Sequence, residues 1–401
     1  METLPEKEKP TTETSEANES TPLTTTTQQN LEFYFAKEPL DFLNAFFNRQ
    51  WLTEWFVRRF LSSLSSLPSL PSLNLPFLQN LHRHPIPPAQ GQLLQTGFYY
   101  LEGPRIHNGH LYVSDMHHCK VHKLDPISGD IIDTITFQDK VSGLGFLSTG
   151  ELVVVAMSTF QILKYDEQTK TCQTYADLSP YCRKYANDMV VDVDDHIYVG
   201  NFGFDFNELL QARTTTVVHV NPQQKVTLAA KRMYFPNGSL VTPDGKTLIV
   251  AETFRGCLTA FDIDRSNDGQ LINKRTWAKV DAALDGICLD DQGCVWAAVP
   301  KVGAYNTSGC VLRIAEHGFI KECYGFACNG LSACCVATNL YKDESTDHTN
   351  QSWLYVLESK TIKEHYIMNK YKDKNSWITR IPVSVGPAKR DDDSRYHAGM
   401  C

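Results

Sequence analysis

The sequence predicts an all-β fold, a six-bladed β-propeller with four-stranded blades, preceded by a disordered and partly helical N-terminal extension. Two observations support the propeller. Beyond Gln90, a short turn-and-strand unit recurs six times at a pitch of roughly 40 to 60 residues, the length of one blade. Helical periodicity is almost absent from the same part of the chain. A single β-sandwich is disfavoured because these evenly spaced strands continue for about 300 residues.

The recurring unit joins a turn containing Gly or Asp to an apolar, β-rich run. Its copies are His107–Val113, Ser148–Val154, Asp194–Val199, Asp244–Val250, Gln292–Trp296 and Gln351–Val356. A further strand with a charged turn follows two of the copies, at Lys120–Asp125 and Leu258–Asp262. These two segments fit the third strand of a blade.

The composition is that of an ordinary globular protein, with 401 residues, 42% hydrophobic residues and a net charge of −8. Lys and Arg are scattered without a basic stripe, so nucleic acid is not an expected partner. Twelve cysteines occur without a CxxC pair or a signal peptide, which favours reduced thiols and a cytoplasmic location. Cys334 and Cys335 are either two strand residues on opposite faces or a vicinal disulfide. The oligomeric state is not predicted.

The N-terminal extension begins with a Thr- and Glu-rich segment, residues 1–30, which predicts a disordered tail. Residues 31–67 predict an amphipathic helix, because an apolar stripe at helical spacing runs through Leu43, Phe47, Trp51, Trp55, Phe56, Phe60 and Leu64. We favour packing of this helix on the rest of the protein, and the alternative is peripheral contact with a membrane surface. A transmembrane helix is not predicted, because charged residues interrupt the stripe.

The remaining boundaries follow from changes in composition. Residues 68–90 alternate Ser, Leu and Pro, which predicts an extended linker. The propeller is predicted over residues 91–385, and a flexible tail over residues 386–401.

Two similar stretches carry the first candidate site residues. In the stretch 235–253, Asn237-Gly238 and Asp244-Gly245 bracket a short apolar run, which predicts turn, strand, tight turn and strand. The stretch 284–296 repeats this pattern, with Asp285-Gly286 in the place of Asn237-Gly238. Because the inner strands of a propeller border its central channel, one polar residue from each blade can converge there. The candidates in successive units are Glu102, Asn187, Asn237 and Asp285.

Two carboxylates and two amide oxygens are the ligands of a hard cation such as Ca²⁺, Mg²⁺ or Mn²⁺, and Zn²⁺ also tolerates them. Taken singly, Asn-Gly and Asp-Gly are ordinary turn dipeptides, so the prediction depends on the ordered set of four. No Gly-x-Ser-x-Gly motif occurs, which disfavours a serine hydrolase.

Several ordered motifs resemble the senescence-marker-protein, gluconolactonase and luciferin-regenerating-enzyme superfamily of six-bladed propellers. The resemblance runs from about Gly97 to Cys335 and is carried by the segments 101–105, 111–117, 142–145, 187–192, 200–205, 237–238 with 251–253, and 284–290. It implies a divalent metal in the channel held by Glu102, Asn237 and Asp285, with Ca²⁺ expected and Zn²⁺, Mg²⁺ or Mn²⁺ as alternatives. It also implies that Asn187 lies beside the metal and touches the substrate or a metal-bound water.

The expected function is therefore that of a metal-dependent hydrolase, which opens a lactone or small ester with metal-activated water. Asp285 is the candidate for accepting the proton of that water, and Glu102 serves as a ligand. Family members acting on aldonolactones often carry Arg two residues before the Asn of the Asn-Asp motif, where this chain has Tyr185. Tyr185 is therefore a candidate substrate contact, and specificity for sugar lactones is not implied. The alternative is a non-catalytic, metal-containing propeller that binds a ligand or a protein.

Overall fold

The computed structural model describes residues 89–204, 213–280, 282–300, 309–328, 330–338, 351–360 and 373–388. The predicted N-terminal tail, the amphipathic segment and nearly all of the linker lie outside these ranges. Most of the predicted C-terminal tail lies outside them as well. Within the described ranges, no helix is long and apolar enough to cross a membrane.

The described residues form six antiparallel four-stranded sheets, which confirms the predicted fold class. Blade 1 comprises β2 (Leu101–His107), β3 (His110–Asp115), β4 (Lys120–Leu124) and β5 (Ile131–Thr136). Blade 2 comprises β6 (Val141–Phe146), β7 (Leu152–Ala156), β8 (Gln161–Asp166) and β9 (Thr171–Asp177). Blade 3 comprises β10 (Ala186–Val191), β11 (Ile197–Asn201), β12 (Thr215–Val220) and β13 (Val226–Met233).

The other three blades repeat this order. Blade 4 comprises β14 (Pro236–Val241), β15 (Thr247–Glu252), β16 (Cys257–Asp264) and β17 (Gln270–Lys279). Blade 5 comprises β18 (Ile287–Leu289), β19 (Val295–Val299), β20 (Cys310–Ile314) and β21 (Ile320–Gly325). Blade 6 comprises β22 (Gly330–Thr338), β23 (Ser352–Ser359), β24 (Ser376–Val383) and β1 (Gln92–Phe98), so the first strand of the chain closes the last sheet.

The first-named strand of each blade is the inner one. These strands contact one another around the whole ring, from β2 through β6, β10, β14, β18 and β22 back to β2. The apolar core lies between neighbouring blades, where the second strands are buried on both faces, as in β7, β11 and β19. A strand buried on both faces reads as a continuous apolar run. The recurring sequence unit therefore marks the second strand of every blade.

The predicted turn at Asn237-Gly238 is wrong, whereas Asp244-Gly245 does lie in the turn between β14 and β15. Asn237 and Gly238 lie within β14, where the register with β15 jumps between Pro236 and Ser239 and produces a β-bulge. A Cβ atom on Gly238 would lie 2.7 Å from the carbonyl oxygen of Asp285. Glycine is needed here because the backbone of the next blade passes against it.

The described structure extends slightly past the predicted end of the propeller at residue 385. The amide of Gly386 donates a hydrogen bond to Asp291 Oδ2 (2.9 Å), and the amide of Ala388 donates to the carbonyl of Leu289 (3.2 Å). The side chain of Ala388 packs in the core between blades 4 and 5. Residues 386–388 are thus part of the propeller.

Candidate metal and substrate site

Every blade places one buried polar side chain at or just before the start of its inner strand. We call this set the polar ring; its members, from blade 1 to blade 6, are Glu102, Ser142, Asn187, Asn237, Asp285 and Ser332. In five of the six blades the strand register is irregular at this residue, which marks a β-bulge. Because a bulge changes the direction of side chains, its repetition explains how residues far apart in sequence reach a common position.

Three of the four predicted residues are joined directly by hydrogen bonds. The Nδ2 atom of Asn187 donates to Asn237 Oδ1 (3.1 Å), and the Nδ2 atom of Asn237 donates to Asp285 Oδ1 (2.5 Å). The hydroxyl of Thr253 supports this chain, because it accepts from Asn237 Nδ2 (3.3 Å) and donates to the carbonyl of Leu284 (2.7 Å). Blades 3, 4 and 5 therefore meet through their ring residues.

Glu102 belongs to the same cluster through its electrostatics. Burial raises the pKa of Glu102 well above its ordinary value, and the nearby charges of Asp285 and Asp188 raise it further. The positive charge of Arg105 offsets this rise only in part. Burial also raises the pKa of Asp285, followed by the charge of Asp188, despite the hydrogen bond from Asn237. The ring thus brings together carboxylates that disfavour one another's ionised form.

Asp188 and Arg105 are site residues that the sequence reasoning missed. Asp188 Oδ1 accepts a hydrogen bond from the amide of Met189 (2.8 Å) and lies 3.4 Å from Arg105 Nη2. Arg105 Nη2 also donates to the carbonyl of Met189 (2.6 Å). Side chains alternate along a regular strand, so Asp188 is expected opposite to Asn187. The bulge between Ala186 and Met189 breaks that alternation.

Two acids that end second strands hold the loops before the ring residues. Glu252 accepts hydrogen bonds from the amide of Tyr234 (2.7 Å) and the hydroxyl of Thr259 (2.5 Å). Asp115 accepts from the amides of Tyr99 (3.1 Å) and Tyr100 (2.9 Å). Both acids are buried, so they fix the backbone that leads into β14 and β2.

The donor set fits a hard divalent cation. Its side chains offer carboxylate, amide and hydroxyl oxygens, and a cation would relieve the charge repulsion that raises the pKa values of Glu102 and Asp285. Across the described ranges, no group of three or more His, Cys, Asp or Glu side chains is arranged to hold a metal. The amides are therefore needed to complete a ligand set.

Tyr185, the predicted substrate contact, lies two residues before Asn187 and is half-buried. Its ring makes an edge contact with Phe202, with centroids 5.6 Å apart and an interplanar angle of 74°. The Nζ atom of Lys140 lies 5.6 Å from the centroid of the same ring. Tyr185 thus stands at the end of the propeller at which the polar ring lies.

Comparisons with known proteins agree with this architecture. Chicken (Gallus gallus) regucalcin is 23% identical over 244 residues, which cover 59% of this chain and 79% of that protein. The structure of a calcium-binding regucalcin from Agrobacterium tumefaciens matches with a TM-score of 0.59 and 18% identity, over 76% of this chain and 98% of that one.

Two further solved structures show the same fold. A luciferin-regenerating enzyme matches with a TM-score of 0.59 and 17% identity, over 75% of this chain and 99% of that one. A gluconolactonase from Xanthomonas campestris matches with a TM-score of 0.52 and 20% identity, over 75% of this chain and 98% of that one. The family model described as the SMP-30/Gluconolactonase/LRE-like region matches residues 101–343, which include the whole polar ring. The chain belongs to the SMP-30/gluconolactonase/LRE-like family.

Proposed function

We propose that this protein is a metal-dependent hydrolase that opens a lactone or a small ester. The observation that carries the proposal is the meeting of buried carboxylates and amides from separate blades in the polar ring. Membership of a family that includes gluconolactonases supports the choice of reaction. Such a cluster costs stability unless a cation or substrate compensates it, which favours a functional role.

Glu102, Asn237 and Asp285 are the residues that we propose hold the metal. Ca²⁺ is the expected ion, because the related regucalcin is described as calcium-binding, and Mg²⁺, Mn²⁺ or Zn²⁺ are the alternatives. When bound, a divalent cation supplies Lewis-acid polarisation of a carbonyl and acidifies water.

The protein side chains supply the proton transfer and the orientation of the substrate. Asp285 is the proposed proton acceptor, because its buried carboxylate belongs to the polar ring and accepts a hydrogen bond from the amide of Asn237. Asn187 is the proposed donor to a substrate oxygen, with the Nδ2 group that donates to Asn237 Oδ1 in this structure. Tyr185 is the proposed contact for the non-reacting part of the substrate. Its aromatic ring stands where family members acting on aldonolactones often carry Arg.

A chelation experiment tests the proposal. The protein is stripped of metal and assayed with a panel of lactones and aryl esters before and after addition of Ca²⁺, Mg²⁺, Mn²⁺ or Zn²⁺. We expect turnover to disappear on stripping and to return with one of these ions, and both Glu102→Ala and Asp285→Ala to prevent its return. Turnover that survives complete removal of metal would contradict the mechanism. Metal binding without turnover of any substrate would favour the non-catalytic alternative.

A further inference from the structure

Aromatic side chains lie next to the polar ring on the side of blades 1 to 4. We call this set the aromatic collar; its rings are Tyr100, Tyr185, Phe202, Phe204, Phe235 and Phe254. Three of them precede a ring residue by two positions: Tyr100 before Glu102, Tyr185 before Asn187 and Phe235 before Asn237. The collar is therefore fixed to the same strand ends as the proposed site.

The collar is a continuous arrangement of rings. The centroids of Phe202 and Phe235 are 4.7 Å apart, and those of Phe235 and Phe254 are 5.0 Å apart. Backbone hydrogen bonds hold the set in place, since the amide of Phe202 donates to the carbonyl of Tyr185 (2.9 Å). Two methionines pack against the same rings. The buried cluster on this side of the polar ring is thus apolar.

Burial does not separate the collar from the site. Phe235 and Phe254 are 4% and 5% exposed, and Asn187 and Asn237 are 5% and 6% exposed. The amides of the ring and the side chains of the collar are therefore excluded from solvent to the same extent. Two titratable side chains contact rings of the collar: the ring of His117 lies 5.6 Å from that of Tyr100, and the Nζ atom of Lys140 lies 5.6 Å from the centroid of Tyr185.

We infer, on the basis of the proposed hydrolase function, that the substrate is a lactone or ester with an aromatic or aliphatic body and not a polyhydroxylated sugar lactone. A site that recognises several hydroxyls needs side chains that pair with each of them, because an unpaired buried polar group is costly. The described collar consists of aromatic rings and thioethers instead. Apolar walls with a few polar groups at one end are typical of sites for apolar small molecules.

Two substrate series test this inference. The first compares 3,4-dihydrocoumarin with D-glucono-1,5-lactone, and we expect kcat/KM to be at least about tenfold higher for the aromatic lactone. The second lengthens the alkyl substituent of δ-lactones, and we expect kcat/KM to rise about fourfold for each methylene that enters the collar. A preference for the sugar lactone, or an absence of any dependence on chain length, would overturn the inference.

Variants of Tyr185 test whether the collar causes the expected preference for the aromatic lactone. We expect Tyr185→Arg to move the ratio of the two kcat/KM values about tenfold towards the sugar lactone, and Tyr185→Phe to leave the ratio unchanged. Tyr181→Arg is the matched control, because Tyr181 is also half-buried but packs against a different core cluster. An equal shift in the ratio with Tyr181→Arg would show that the collar is not responsible.

Binding of lactams separates this inference from the hydrolase proposal, because lactams resist hydrolysis. Calorimetry with the wild-type protein should show tighter binding of 3,4-dihydroquinolin-2-one than of gluconolactam. If the aromatic lactam binds and no lactone or ester is hydrolysed, the hydrolase proposal fails and the collar remains a site for apolar ligands. If neither lactam binds and no lactone is hydrolysed, both fail.

A second inference depends on a different observation, the hydroxyl of Ser142. This hydroxyl is buried, and within the described residues it has no hydrogen-bond partner. Ser142 is the blade 2 member of the polar ring and borders the acid cluster, since a Cβ atom on Gly143 would lie 2.9 Å from the carbonyl carbon of Asp188. We propose that the Ser142 hydroxyl binds an oxygen of the substrate.

The sign of the stability change tests this role. Removing an unsatisfied hydroxyl has little cost, so Ser142→Ala should keep or raise the urea midpoint while kcat/KM and lactam affinity fall about tenfold. Tyr198→Phe is the control, because its buried hydroxyl donates to the carbonyl of Gly269 (2.7 Å), away from the polar ring. The control should lower the midpoint and leave kcat/KM unchanged. A lowered midpoint with unchanged kcat/KM and lactam affinity in Ser142→Ala would show that the hydroxyl is structural.

Discussion

Asp285 and Asp290 lie at opposite ends of one short strand, β18, and their surroundings differ sharply. Asp290 accepts hydrogen bonds from the amides of Gln292 (3.0 Å) and Cys294 (2.9 Å) and forms a buried ion pair with Arg313 Nε (2.7 Å). Among the described residues, no ion pair reaches Asp285, which faces the charge of Asp188 and accepts from one amide. Asp290 therefore belongs to a fully paired structural cluster, whereas Asp285 is a buried acid without a counter-charge among the described residues.

The same contrast extends to the neighbours of each aspartate. Arg313 also donates to Glu322 Oε1 (3.1 Å) and Gln292 Oε1 (2.8 Å), so the cation that pairs with Asp290 has further acceptors of its own. Around Asp285, burial and like charge raise the pKa of Glu102 as well. A buried charge is tolerated when it is paired and is costly when it is not. Repulsion between buried carboxylates therefore occurs at the site of the proposed chemistry.

The largest expected effect comes from replacing an acid of the polar ring. Glu102→Gln keeps the size of the side chain and removes the charge that we propose holds the metal. We expect kcat/KM to fall about 10³-fold, the equivalent of ~4 kcal/mol, because the Lewis acid is lost. Glu322→Gln, in the Arg313 cluster, is the control and should change kcat/KM less than about twofold. Similar losses of kcat/KM in both variants would contradict the contrast between the polar ring and the Arg313 cluster.

The next effect is on stability and has opposite signs at the two aspartates. Asp290→Asn leaves Arg313 without its buried counter-charge, and we expect a loss of about 3 kcal/mol in the free energy of unfolding. Asp285→Asn removes a repelled charge, so the metal-free protein should be as stable as the wild type or more so. Urea unfolding in the presence of chelator measures both. A comparable loss in the two variants would show that Asp285 is also a structural residue.

The smallest effect is a dependence of stability on pH. The raised pKa values of Glu102 and Asp285 mean that the folded, metal-free protein holds protons that the unfolded chain has released. Its stability should therefore fall as the pH rises from about 4 through the raised pKa values. Glu102→Gln should flatten this decline, and saturating Ca²⁺ should abolish it. Midpoints of urea unfolding across this pH range provide the measurement, and a decline unchanged by Ca²⁺ would contradict the assignment of the ligands.

Much of the fold was predictable because the second strands, buried on both faces, give an apolar run in every blade. The convergence of Asn187, Asn237 and Asp285 was predictable for a related reason, since equivalent positions in successive blades face one channel. The bulges were not predictable, because Asn-Gly is equally suited to a tight turn and to a bulge. That ambiguity produced the wrong turn at Asn237 and concealed Asp188. Ser142 was missed because the amino-acid sequence around a serine does not show whether its hydroxyl will have a hydrogen-bond partner in the folded protein.

The closure of blade 6 by β1 has a consequence for the order of folding. Gln92 and Arg380 are 288 positions apart in the chain, and they meet in the sheet that seals the ring. The hydroxyl of Ser332 reaches the carbonyl of Leu101 across 231 positions at the same seam. Contacts of such sequence separation form late and slowly. During synthesis, the seam beside Glu102, the first of the proposed ligands, therefore closes only after the chain has been made as far as β24. Closure of this seam would then complete the proposed metal site in one final step.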